Sequence, residues 1–269
     1  MTNETIRKLL SPSADTDNNV WEIFHENSKV GRYSYPVLPE SFIVARMKEM
    51  YESLPYDEYP NIDLPRKLTP LRLSFDEAIL NRVTSRKMEP CELSIEDITT
   101  ILHYSYGITR DNRDSKYSRA FRTVPSGGAL YPLEIYFHAR YVKELDNGLY
   151  HYNPVKNSIQ RLINKDLTTD ISKTLTSIQS NLAFDTSLMI FITAIFERET
   201  FKYGPRGYRF VFLEAGHVAQ NINLTTTAME LGSVNICGYF DREVDELIGL
   251  DGIKHSTIYM VGIGKRLEE

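Results

Sequence analysis

Arg122-Thr-Val-Pro-Ser-Gly-Gly-Ala-Leu-Tyr-Pro132 joins a polar loop to a strand signal at Leu133 to Val142. Adjacent glycines at 127 and 128 let the backbone approach a flat ligand with no Cβ in the way, and Ser126 adds a hydroxyl and a backbone N–H. A bare Ser-Gly-Gly equally describes a tight loop entering a strand. The segment therefore specifies a platform and leaves its occupant open.

Working outward toward the N-terminus, the loop Gly107 to Pro125 carries Arg110, Arg113, Lys116, Arg119 and Arg122. Such a charge run reads as a solvated face or as a peptide-binding surface. Before it, Ser94 caps a predicted helix running to Tyr106, with Ile95, Ile98, Ile101 and Leu102 on one face. A helix at Ser74 to Val83 leads into the basic turn Arg82 to Lys87. Residues 1–66, broken by Pro36, Pro39, Pro55, Pro60 and Pro65, read as an N-terminal arm on a main body of residues 67–269, with one helix at Glu40 to Leu54. Working outward the other way, strand signals at Gly148 to Tyr152 and Ser187 to Phe196 enclose a helix near Leu167 to Gln179. Apolar residues recur at helical spacing from Arg209 to Leu231, with Gly232 placed as a C-cap glycine. A helix that long suits a central or subunit-spanning rod. A last strand, Thr257 to Ile263, runs into Gly264, Lys265 and Arg266, so the class is α+β.

Two further groups carry possible chemistry. Arg82, Thr84 and Arg86 alternate at a helix end, and Lys265 with Arg266 lies at the far end of the chain. Brought together, they would bind a phosphate dianion by charge-assisted hydrogen bonds; apart, each is surface charge. Lys202 stands beside Tyr203, before a Gly-Pro turn that can hold both at the mouth of a pocket. An ammonium stabilises a phenolate and burial favours a neutral amine, so either group can take a proton; a snorkelling lysine and a packed tyrosine is the bland alternative.

Composition excludes several classes. A net charge of -5, with 25% charged and 42% apolar residues among 269, carries no field that advertises nucleic acid. The longest apolar run, Leu188 to Phe196, is far short of the roughly 20 residues that cross a bilayer. Polar Thr2, Asn3 and Glu4 followed by Arg7 and Lys8 do not read as a secretory signal, and Cys91 and Cys237 form no disulfide framework; a cytoplasmic protein is expected. HExxH, Walker A and GxSxG patterns are missing, and the six histidines are scattered, His217 reading as a packing or interface residue.

Together these elements resemble the nitroreductase superfamily, and within it the SagB-type thiazoline/oxazoline dehydrogenases of microcin-type thiazole/oxazole synthetases. The resemblance rests on Pro-Ser-Gly-Gly-Ala-Leu-Tyr-Pro at 125–132, Phe-Lys-Tyr at 201–203, Arg-Gly-Tyr-Arg at 206–209 and the helix Leu213 to Asn221, with a weaker echo in Phe24-His-Glu-Asn-Ser-Lys29. It implies a mixed, mainly antiparallel sheet flanked by helices, paired into a homodimer with FMN at the subunit interface. Arg82, Thr84, Arg86, Lys265 and Arg266 would then hold the phosphate and ribityl chain. Ser126, Gly127, Gly128 and Ala129 would lie against the flavin, with Ile236 and Gly238 near its N5 atom. Cys237 stands where many nitroreductases carry a glutamate, and Lys202 and Tyr203 match the pair that looks catalytic in azoline dehydrogenases. The implied reaction turns peptide azolines into azoles, with a precursor peptide and cyclodehydratase subunits as partners. A general FMN/NAD(P)H nitroreductase and a non-catalytic scaffold of a synthetase complex are the alternatives.

Overall fold

The computed structural model describes residues 19–32, 38–112 and 114–267; the N-terminal signal reading, Pro36 and Arg113 lie outside them. The helices are α1 (Val20–Asn27), α2 (Glu40–Glu49), α3 (Phe75–Asn81), α4 (Ile95–Tyr106), α5 (Thr168–Thr174), α6 (Leu182–Asp185), α7 (Glu197–Tyr203), α8 (Pro205–Ala228) and α9 (Asp241–Ile248). The strands are β1 (Asn61–Asp63), β2 (Met88–Glu89), β3 (Ile108–Arg110), β4 (Phe121–Arg122), β5 (Leu133–Ala139), β6 (Gly148–Asn153), β7 (Ser158–Ile163), β8 (Leu188–Ile195), β9 (Gly232–Ile236) and β10 (His255–Arg266).

The main sheet runs β1-β7-β6-β5-β8-β10-β2, with β9 also paired to β10, and every pairing of these strands is antiparallel. Strands β5 and β8 are almost continuously apolar and buried on both faces, which requires a helical layer on each side. One layer centres on α4 and α8, where Ile98, Ile101, Leu102, Val211, Ala215, Val218 and Ile222 pack on Leu133, Ile135 and Ile190. Ile171, Leu175, Val244 and Ile248 of the other layer pack with Tyr136, Phe191 and Met260. Helix α4 begins where its sequence says: Ser94 and Asp97 form a capping box.

Several boundaries differ from those expected. The helix begun at Glu40 ends at Glu49, because residues beyond it run out to a buried carboxylate. The helix read at Leu167 to Gln179 closes at Thr174, where Leu175 is extended and the following N–H of Thr176 donates to Gly238 O at 2.8 Å. The long helix starts four residues early, at Pro205, and stops at Ala228. Gly232 does not cap it; the left-handed residue past its end is Glu230, and Gly232 opens β9 opposite Gly264. A Cβ there would press Ser85 and the Met88 sulfur at 3.0–3.1 Å, so this glycine serves strand packing.

Candidate active site

The segment Ser126 to Pro132 is braced before β5 begins. Ala129 N–H donates to Ser126 O (3.1 Å), Tyr131 N–H to Ser126 Oγ (2.9 Å), and Arg122 N–H to Tyr131 Oη (2.9 Å). The bracing holds Gly128, Ala129 and Tyr131 at φ of 61°, 56° and 49°. Left-handed backbone at the two non-glycine residues costs roughly 1–2 kcal/mol each, and such strain collects at functional sites.

Helix α7 brings its last turn over this loop. Gly204, at φ 57° and ψ −147°, breaks the chain between α7 and α8, and Pro205 is the first residue of α8. The two helices therefore fold back on each other, with Gly207 close enough that a Cβ would lie 2.8 Å from Glu199 O. This geometry carries Lys202 and Tyr203 onto the platform. A Cβ on Gly128 would lie 2.5 Å from Lys202 Nζ and 2.7 Å from Tyr203 Oη. The space cleared by this glycine is thus filled by the two polar heads that the sequence singled out. Lys202 Nζ also lies 5.1 Å from the Tyr203 ring centre and 5.8 Å from that of Tyr117, and the Tyr203 ring meets Phe210 edge-on.

Directly behind stand two buried carboxyl groups the sequence reading missed, Glu199 on α7 and Glu214 on α8. Burial, reinforced by Glu214, pushes Glu199 up to about 9, and burial pushes Glu214 up to about 7. No local pattern marks them, since acidic residues in helices are ordinarily solvated.

At the other end of β10 the two basic groups meet in part. Thr84, Arg86 and Arg266 line one cleft; Arg82, at the end of α3, is not among its lining. Lys265 projects from the opposite side of β10, where its ammonium pairs with Glu89 at 2.7 Å, consistent with strand alternation. A neighbouring cleft of about 410 Å³ shares Arg266 and adds Asn81, Thr227 and Glu230. Strand β9 runs from this basic pole to Ile236, four residues or about 13 Å away. Ile236 is buried, Cys237 is exposed, and a Cβ on Gly238 would collide with Gln179 Oε1 and Thr176 Oγ1. The Gln179 Oε1 and Asn235 Oδ1 acceptors there are buried without hydrogen-bond partners among the described residues. A cationic cleft with a hydroxyl at one end of a strand and unused acceptors at the other suits an elongated ligand with a phosphate and a polar ring. The loop at 126–129 packs on α7 and α8, whereas Gly238 packs on the segment after α5, so the chain presents them on different layers.

The basic loop is only partly a solvated face. Arg119 and Arg122 are buried, and their guanidinium groups donate to backbone oxygens of the arm: Arg119 to Met47 O (3.0 Å) and Met50 O (3.2 Å), Arg122 to Glu52 O (2.6 Å). Burial lowers Arg119 to about 10. The peptide these arginines bind is the chain's own. Beyond it, Ser53 Oγ and Leu54 N–H donate to Glu134 at 3.1 and 3.0 Å. Glu134 also pairs with Arg198 of α7 at 2.6 Å and accepts from His151 Nε2 at 2.7 Å. The arm and the helix bearing Lys202 and Tyr203 therefore share one buried anion. The motif at 24–29 joins in as well: Arg209 donates to Ser28 Oγ at 2.8 Å, and Phe24 packs edge-on against Tyr208.

The nitroreductase family profile matches residues 79–265, well over half of the chain. The chain belongs to the nitroreductase family. A nitroreductase-type protein of Methanocaldococcus jannaschii is 32% identical over 196 residues, 73% of this chain and 93% of that protein. The microcin B17-processing protein McbC of Escherichia coli is 31% identical over 135 residues, 48% of this chain and 49% of McbC. The match thus spans about half the length of McbC. In fold, this nitroreductase-family chain is similar to a chain of the Escherichia coli microcin synthetase McbBCD complex with truncated pro-MccB17 bound, with a TM-score of 0.60 at 22% identity, covering 93% of this chain and 92% of the other. Among the described residues no helix is long and apolar enough to cross a membrane.

Proposed function

We propose that this chain is a cytoplasmic, FMN-dependent dehydrogenase that oxidises thiazoline or oxazoline rings of a ribosomally made peptide to thiazoles or oxazoles. The observation that carries the reading is the convergence of Lys202 Nζ and Tyr203 Oη over Gly128 in a strained loop. Relatedness to a microcin-processing protein supports the substrate class, and a precursor peptide and cyclodehydratase subunits are the partners it implies.

The azoline ring must lose a proton from Cα and a hydride from the adjacent ring carbon. Bound FMN would supply the two-electron acceptor, held at its phosphate by Thr84, Arg86 and Arg266 and followed along β9 by Gly238. Tyr203 takes the Cα proton, and Lys202 beside it stabilises the phenolate that does so. Ser126 to Ala129 fix the floor on which both heads are placed, a positioning role. Because that floor and the β9 segment lie on different layers of one protomer, the complete site forms in a homodimer, the loop of one copy meeting the basic pole of its partner. Exposed Phe75, Ile79 and Leu80 on α3 and Phe212 and Leu213 on α8 give such a dimer an apolar face.

Lys202→Ala and Tyr203→Phe should retain FMN, read by visible absorbance, yet abolish azole formation, read by mass spectrometry as loss of two hydrogens per ring. Wild-type turnover in both variants overturns the assignment. Rapid bleaching of bound flavin by NADH, without peptide oxidation, would identify a general nitroreductase instead, the activity suggested by the relative that matches at 93% of its length.

A further inference from the structure

Glu199 is fully buried one helical turn before Lys202 and Tyr203, and a Cβ on Gly127 would stand 3.2 Å from both of its carboxyl oxygens. Neither oxygen has a hydrogen-bond partner among the described residues. Glu214, 2% exposed, faces it from α8; its Oε1 accepts from Tyr106 Oη at 2.7 Å and its Oε2 has no partner there. The charged and polar groups around the pair are unevenly shared. Tyr106 from α4, Arg122 from β4, Arg198 from α7 and the Ser126 hydroxyl from the loop all favour the anion of Glu214. Lys202 favours the anion of Glu199, against Glu214 and complete burial. Two carboxyl groups in such surroundings ionise in separate steps, and the better-supported one takes the charge first.

We propose that the pair carries one proton, held on Glu199, and that this neutral carboxyl is a positioning residue that leaves Lys202 directed at Tyr203 across Gly128. Loss of the proton turns Glu199 into a counter-anion for Lys202, on the same helix and closer to the core than Tyr203 is. The ammonium then swings beneath the glycine pair, and the phenolate loses its support. Glu199 thereby sets the alkaline limit of the site. The inference rests on the roles proposed for Lys202 and Tyr203, but its titration can be read without any substrate.

The experiment is infrared difference spectroscopy across an alkaline pH titration of the purified full-length protein, together with the pH profile of thiazoline oxidation. A protonated-carboxyl band should persist at pH 8, vanish with a midpoint near pH 9, and be missing from Glu199→Gln. The alkaline limb of turnover should share that midpoint and shift in Glu199→Gln. In Lys202→Ala the band should titrate at higher pH, because the cation that favours the anion is gone. A wild-type carboxyl already ionised at pH 8, a band that survives Glu199→Gln, or a midpoint indifferent to Lys202→Ala overturns the proposal. If the protein does not oxidise azolines, the functional reading fails while the band and its response to Lys202→Ala still decide this one.

Discussion

Three decisions of backbone hand, at Gly128, Ala129 and Tyr131, determine what the floor of the site looks like, and only one of them falls on glycine. Gly128→Ala adds a methyl group at φ 61° and drives it against Lys202 Nζ and Tyr203 Oη. The expected stability loss is about 1–2 kcal/mol, measured by chemical denaturation, because lysine can swing aside. Turnover should fall much further than that loss explains, since the displaced groups are those assigned to chemistry. Ala129→Gly relieves strain at φ 56° and should stabilise by up to about 1 kcal/mol. The platform is legible in sequence because Ser-Gly-Gly is a local pattern. Glu199 and Glu214 are not, because what makes them unusual is company supplied from α4, β4 and the loop, which no spacing in α7 reveals.

Elements whose burial follows an apolar period are readable, and those buried through charge are not. Helix α4 announces itself by a cap and an apolar face. Helix α7, Glu-Arg-Glu-Thr-Phe-Lys-Tyr, hides Arg198 and Glu199 and so lacks the stripe that betrays a packed helix. Strand β9 escapes notice because Gly-Ser-Val-Asn-Ile alternates weakly and its glycine imitates a cap. Likewise Arg119 and Arg122 look like surface charge until the arm closes over them. The joint between α7 and α8 depends on Gly204 in a conformation open only to glycine, with nothing within 4 Å of where a Cβ would stand. Gly204→Ala should therefore cost about 1–3 kcal/mol through backbone strain alone. Denaturant midpoints measured beside Gly216→Ala, a helical glycine equally free of neighbours, separate that strain from ordinary packing; equal behaviour of the two would refute it.

Across the whole molecule, buried titratable groups shifted in both directions set how the stability depends on pH. His138 accepts from Leu167 N–H at 3.0 Å and His255 shares a 2.7 Å hydrogen bond with Thr193; burial lowers each to about 4. A depressed histidine contributes stability fully above its ordinary value of 6.5, and loses it as pH falls from there toward 4. Glu134 is held well below the usual carboxylate range: burial acts to raise it, but Arg198 and His151 prevail. Its contribution is complete above 4.5 and is lost below that. Glu199 and Glu214, pushed up to about 9 and about 7, act in the opposite sense and add stability as pH falls from those values toward 4.5, so between 6.5 and 4.5 they offset the two histidines. Thermal midpoints should accordingly change little from 6.5 to 4.5 and fall steeply below 4.5, and Glu134→Gln should flatten that fall while lowering stability at neutral pH by about 3–5 kcal/mol. A fall that begins at pH 6.5, or an acid fall unaffected by Glu134→Gln, would contradict this.

Because the Leu54 amide donates to the same carboxylate that anchors Arg198, arm and active-site helix are tied to one knot. Detaching the arm would strand the guanidinium groups of Arg119 and Arg122 without their oxygens, a cost that opposes fraying of its inner end. A protease that nicks this chain near residue 50 should thus disturb the groups proposed for chemistry, 150 residues further on, without touching either of them.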